Sequence, residues 1–114
     1  MPDVIVVNAR KLDRVPAGYT LIYVGRSTSY RPQYGADFSV LGNPFTLASG
    51  YSRDEAVDAY ADRAARGAPL IVRRAMDVLR QRVVDERLAL VCFCAPQRCH
   101  ADVIKKELEG GVGQ

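Results

Sequence analysis

Four consecutive apolar residues, Leu88-Ala89-Leu90-Val91, run directly into Cys92-Phe93-Cys94-Ala95-Pro96-Gln97-Arg98-Cys99-His100. A stretch that is apolar at every position, rather than at alternate ones, predicts a strand covered on both faces. Such strands belong to folds in which helices flank a sheet. Within the motif, Cys92 and Cys94 project to one face of the strand and Phe93 to the other. Pro96 cannot donate to a ladder and is expected to end the strand. Ala101, Ile104 and Leu108 then mark the apolar stripe of a helix, which places Cys99 and His100 at its start. These nine residues hold all three cysteines and the only histidine of the chain.

The rest of the chain follows the same pattern. Val4 to Val7 reads as a second doubly covered strand ending at Asn8, and Thr20 to Val24 as a third, closed by Gly25. Ser52-Arg53-Asp54-Glu55 is a capping-box match, in which a serine hydroxyl and a glutamate three residues later satisfy each other's backbone amides. The helix it opens carries Ala56, Val57, Tyr60, Ala61 and Ala64 on one stripe and stops at Gly67. Pro69 opens another, with Ile71, Val72, Ala75, Met76, Leu79 and Val83, ending near Asp85 or Glu86. At 114 residues, the chain is of a size for one core. The expectation is a single α/β domain over residues 1–109 with a flexible tail over 110–114. Its architecture would be a small Rossmann-like layer fold with a mostly parallel sheet of few strands. The segment between Asn8 and Tyr19 shows no helical period, which leaves the direction of the first strand relative to the second open.

In open parallel sheets, ligands bind outside the carboxyl ends of the strands. Asn8, Gly25-Arg26 and the Cys94 to His100 segment fall at such ends. The long region from Arg26 to Gly50, rich in Ser, Tyr, Gly and Pro, begins at one of them and contains Asn43. Loops of this length inside compact domains usually serve a function. Asn8, Gly25, Arg26, Asn43 and Cys94 are therefore the candidate ligand-binding residues, and Cys99 and His100 the candidate catalytic ones. An arginine beside a glycine clamps phosphate or carboxylate, and the glycine lets backbone approach closely. The plain alternative is a surface salt bridge after a turn. Asn43 before Pro44 reads a ligand edge or simply initiates a turn. Tyr30, Tyr34 and Phe45 stack on a ring or pin the loop to the core. At a helix start, the dipole and Arg98 would lower the Cys99 thiol pKa, and free amides would hold an anion. His100 would act as acid, base or donor, and the alternative is a packed helix-start residue. Cys92, inside the apolar strand, reads as a core residue.

Cys92, Cys94, Cys99 and His100 supply the count for a zinc site, but Cys-x-Cys followed by an adjacent Cys-His pair departs from the paired spacing of zinc knuckles. No metal ligand set is assigned, and the residues leave the cofactor unknown. An odd number of thiols argues against a disulfide framework, leaving a transient Cys94–Cys99 bridge as the pairing to consider. The 16 basic and 13 acidic residues leave a net charge of +3, with both signs interspersed, which does not indicate nucleic acid. Neither a signal peptide nor a membrane span is legible, so a cytoplasmic protein is expected.

These motifs resemble an uncharacterised family of small phage and bacterial domains. Its members share a valine-rich strand ending in Asn, matched by Val7-Asn8, and a Tyr-x-Gly-Arg strand end, matched by Tyr23 to Arg26. The others are a Leu-Gly-Asn-Pro-Phe loop at Leu41 to Phe45, an Arg-x-Glu-Ala helix start at Arg53 to Ala56, and a Cys-x-Cys-x-Pro-x-x-Cys-His close at Cys92 to His100. Phe93 stands where the family often has Trp. The resemblance spans nearly the whole chain, implies no established activity, and carries only a distant, fold-level analogy to Rossmann-like nucleotide-handling domains. The expected function is binding of a nucleotide or phosphorylated nucleoside at the strand ends, with hydrolase or transferase chemistry unassigned. The alternative is a non-enzymatic module, such as a phage protein acting on a host protein, with a structural Cys/His clasp that holds zinc or stands without it.

Overall fold

A computed structural model describes residues 3–45, 49–95 and 97–111. The expectation for Pro96 and that for the tail over 112–114 lie outside the described residues. The strands are β1 (Val4–Asn8), β2 (Tyr19–Tyr23), β3 (Ala36–Asp37) and β4 (Arg87–Cys92), and the α-helices are α1 (Arg53–Gly67), α2 (Leu70–Asp85) and α3 (His100–Gly111). They form one sheet in the order β1-β4-β2-β3, every neighbouring pair parallel. The fold is thus a small α/β layer with an all-parallel sheet, consistent with a Rossmann-like arrangement.

The middle position of β4 explains its composition. Val4 pairs with Leu88 and Asn8 with Cys92 on one side, while Tyr19 pairs with Arg87 and Tyr23 with Val91 on the other. With a neighbour on both edges and cover on both faces, Leu88, Ala89, Leu90 and Val91 are wholly buried, as an uninterrupted apolar run requires.

The sheet's two faces are covered differently. One packs Val4, Ile22, Leu88 and Leu90 against Tyr60 of α1, Met76, Leu79 and Val83 of α2, and Ile104 and Leu108 of α3. The other packs Tyr23 and Val91 against Tyr30, Tyr34 and Phe93 from loops, with Ala9 and Leu12 from a short 3-10 segment. Tyr34 stacks on Tyr23 at 5.5 Å between ring centroids and Tyr30 tilts against it at 5.3 Å. The Tyr30 hydroxyl also donates to the Gly35 carbonyl at 2.6 Å. These two tyrosines pin the long loop to the sheet.

The open direction of β1 against β2 is settled as parallel, with β4 between them. The return runs through a 3-10 helix, Ala9–Arg14, capped by the Asn8 side chain accepting from the Arg10 amide at 2.9 Å. A 3-10 turn has three residues per turn and tolerates only short runs, which is why residues 9–18 carry no 3.6-residue stripe. The α1 capping box forms as expected, Ser52 and Glu55 exchanging side-chain-to-amide bonds at 3.2 and 2.9 Å. Pro69 is the residue before α2 rather than its first turn. From Arg26 to Phe45 the loop is more ordered than its composition suggests, since it contains β3 and the 3-10 turns Ser27–Ser29, Pro32–Tyr34 and Ser39–Leu41. No helix among the described residues is long and apolar enough to cross a membrane.

Candidate functional site

The carboxyl ends of β2 and β4 open onto one cavity of about 370 Å³. Gly25, Arg26, Asn43, Cys94, Cys99 and His100 all line it, and so do Phe45, Arg53, Phe93 and Arg98. Asn8 does not. Its Nδ2 donates to the Ala95 carbonyl at 2.8 Å while its Oδ1 caps the 3-10 turn, so it holds the start of the Cys/His segment against β1.

Backbone contact builds the first wall. A Cβ on Gly25 would lie 2.5 Å from the Tyr23 hydroxyl, and one on Gly42 would lie 3.0 Å from the Gly25 carbonyl. The missing side chain of Gly42 thus lets the Leu41-to-Phe45 loop lie against the strand end, while that of Gly25 makes room for the Tyr23 ring. Asn43 then ties this loop to α1, its Nδ2 donating to the Ala56 carbonyl at 3.0 Å and its Oδ1 accepting from the Phe45 amide at 2.9 Å. Its amide is thereby committed to holding Phe45 at the cavity rather than to free recognition of a ligand. Below, Tyr60 donates its hydroxyl to the Leu41 carbonyl at 2.8 Å, and burial pushes that phenol's pKa up.

The second wall is the turn between β4 and α3. Several of its amides are spent internally: those of Cys94 and Ala95 bond the Cys92 sulfur and that of Ala101 bonds the Cys99 sulfur. Gln97 donates to the Cys94 carbonyl at 2.9 Å, and Cys99 donates to the Asp102 carboxylate at 3.0 Å. Sulfur and Asp102 take several of the amides that an anion cradle at this helix start would draw on. Asp102 is thus a helix-capping charge.

Charge in the cavity comes from side chains. Arg98 spans Asp54 at 3.0 Å and Asp58 at 2.8 Å, fastening the turn to α1 with its own charge balanced. Arg26 and Arg53 have no carboxylate partner among the described residues, and no Asp or Glu lines the cavity. Arg53 was legible only as part of a capping box and of the Arg-x-Glu-Ala helix start. Its signal was its position: the first turn of a helix favours acids, so an arginine there is out of place unless something anionic faces it.

The three sulfurs form a cluster, with Cys92 and Cys99 Sγ 3.4 Å apart and both buried. Cys94 is half-buried and faces the cavity. The side-chain interactions of Cys99 with Cys92 and Cys94, together with burial, push its pKa up. The Cys99 side chain, with the Arg53 guanidinium and the charge of Arg26, brings Cys94 down to about 6 against the opposing effect of burial. Cys92 is also lowered, by Cys99 and by the two amides it accepts. The ordering is opposite to that expected from the helix start alone. Cys99 is the thiol that holds its proton, and half-buried Cys94 gives its proton up more readily.

His100 is buried, its Nε2 2.6 Å from the Val24 carbonyl and its ring 5.2 Å from that of Tyr60. A carbonyl only accepts, so Nε2 carries the hydrogen and Nδ1 is the nitrogen left to take a proton. Burial lowers the imidazole pKa, opposed by the Val24 bond and the charge of Asp102. Among the described residues, no group of three or more His, Cys, Asp or Glu side chains is arranged to hold a metal ion.

A family model described as Domain of unknown function (DUF4326) matches residues 7–110, which takes in every residue named at the cavity. No curated protein and no solved structure matches the chain.

Proposed function

We propose a function from the site alone for a chain that belongs to the DUF4326 family, whose description assigns no activity: it binds a nucleotide or phosphorylated nucleoside in the cavity at the ends of β2 and β4. The observation that carries this is the pair Arg26 and Arg53, both without a carboxylate partner among the described residues, beside a cavity that no acid lines. Guanidinium groups hold phosphate through paired hydrogen bonds. Phe45 and Phe93 offer ring faces and edges for a base. The cavity, about 370 Å³, lies in the range that small-molecule sites occupy, roughly 300–1,000 Å³. A hydrolase or transferase step at a phosphate or glycosidic centre would fall to Cys94 and His100.

A thermal-shift series tests this. Nucleoside monophosphates at about 100 times their Kd stabilise the native state by about 2.7 kcal/mol. The matching nucleosides shift Tm less, and Arg26→Ala with Arg53→Ala abolishes the difference. If no nucleotide raises Tm, the proposal is wrong.

The second reading, a non-enzymatic interaction module such as a phage protein acting on a host protein, draws on α2, where Leu70, Ile71, Val78 and Val84 stand exposed. On that reading nucleotides have no effect, and a zinc-holding clasp would show as stoichiometric metal in the purified protein, lost in Cys99→Ser.

A further inference from the structure

We propose that the cavity is also a dithiol redox site, in which Cys94 attacks a small anionic disulfide and Cys99 resolves the adduct. The geometry carries it. Cys94 is the sulfur that is half-exposed and facing the cavity, while Cys99 and Cys92 are buried behind it with their sulfurs 3.4 Å apart. Cys94 and Cys99 lie on the same turn between β4 and α3, and each thiol acts on the other's proton. Arg53 hydrogen-bonds Cys94, and Arg26 lies near enough to act on it through its charge. A thiolate in such a setting is the nucleophile of thiol–disulfide exchange, and its partner stays protonated until needed.

In the first step the Cys94 thiolate forms a bond to one sulfur of the substrate and the substrate's S–S bond breaks, expelling a thiolate that takes a proton from solvent. In the second, Cys99 loses its proton to water and attacks Cys94 Sγ. The mixed disulfide breaks, the second half of the substrate leaves as a thiolate and is protonated, and a Cys94–Cys99 bridge remains. Two electrons pass from the protein sulfurs to the disulfide, which is reduced to two thiols. Cys92 is the less suited resolving group, because its sulfur accepts the amides of Cys94 and Ala95 and its backbone is fixed in β4. Cys99 sits at the last position before α3, where the chain is not held in a ladder. The substrate class follows from charge. With arginines beside the nucleophile and no acid lining the cavity, a disulfide bearing carboxylates is favoured over a neutral one.

The proposal shares the cavity with the nucleotide reading but not its ligand, and oxidised glutathione serves as the probe. Trypsin cuts after Arg87, Arg98 and Lys105, so Cys94 and Cys99 fall in separate peptides, 88–98 and 99–105. Treated wild-type protein is expected to yield these two joined, with fragmentation between Cys92 and Cys94 placing the bond on Cys94. This arm needs no variant that could misfold. Cys99→Ser, checked for native circular dichroism, stops at glutathionylated Cys94, and Cys94→Ser forms neither product. Neutral bis(2-hydroxyethyl) disulfide reacts about tenfold more slowly relative to a free thiol standard, and Arg53→Ala erases that gap. The proposal is overturned if the first adduct lies on Cys92 or Cys99, if no joined peptide forms, or if Cys94 reacts no faster folded than in urea. A nucleotide thermal shift that survives in Cys94→Ser would then leave the binding function standing by itself.

Discussion

Gly25 has no room for a side chain. The Tyr23 ring crosses it so closely that a methyl group would meet the hydroxyl at 2.5 Å, and that hydroxyl is held by the Arg26 carbonyl at 2.7 Å. Gly25→Ala must displace a buried aromatic ring, so a loss of about 1–3 kcal/mol in denaturant unfolding is expected. Gly50→Ala, where nothing lies within 4 Å, separates this packing effect from backbone strain at a positive φ of 95°. His100 supplies a pH dependence. Burial holds its native pKa below the free value of 6.5. Above that pH the ring is neutral in both states and its contribution to stability is complete. As pH falls below 6.5 the unfolded chain takes up a proton that the native state refuses, and stability drops until the lower native pKa is reached, with a slope of at most about 1.4 kcal/mol per pH unit. Glu55 and Glu86, both lowered from 4.5, act only in a more acidic window. Cys94, brought down to about 6, also loses stability as pH falls toward that value, so the comparison is made in Cys94→Ser, where Tm measured from pH 8 to 5 should fall and should flatten once His100→Gln is added, whose amide can still donate to Val24. For Cys94, the rate of alkylation by iodoacetamide should rise with an apparent pKa near 6. A midpoint above 8 would return the thiol to ordinary behaviour.

The elements show which parts of this molecule a sequence can declare. The four-residue apolar run of β4, the capping box of α1 and the stripe of α3 each express one local rule, and each element stands where that rule puts it. The 3-10 turn after β1 and the two-residue β3 obey no period long enough to read. The site divides in the same way. Its residues at strand ends were legible because a parallel sheet gathers strand ends. The direction of the sulfur cluster was not, since it depends on Arg53 arriving from α1 and on amides turning toward sulfur rather than solvent. Asn8 misled for a related reason: a polar residue at a strand end serves equally well to fasten a neighbouring turn, and here it does so. At this scale the α1 cap is testable. Ser52→Ala, which loses the bond from the Glu55 amide, is expected to cost about 1 kcal/mol. It should also weaken nucleotide binding, because Arg53 is the next residue and its aim depends on that first turn. An unchanged Kd would separate the cap from the site.

For the molecule as a whole, the order β1-β4-β2-β3 means that the strand in the middle of the sheet comes late in the chain. Val4 to Asn8 and Tyr19 to Tyr23 do not touch each other in the ladder; both pair with β4, more than 60 positions away, and β2 alone also has a nearer partner in β3. Closing such loops must precede any reward from pairing, which slows folding. A chain emerging residue by residue would hold two apolar strands with nothing to join them until residues 87–92 appear. The cavity, the sulfur cluster and the sheet would then be completed in one event, and a fragment over residues 1–86 should show no cooperative unfolding.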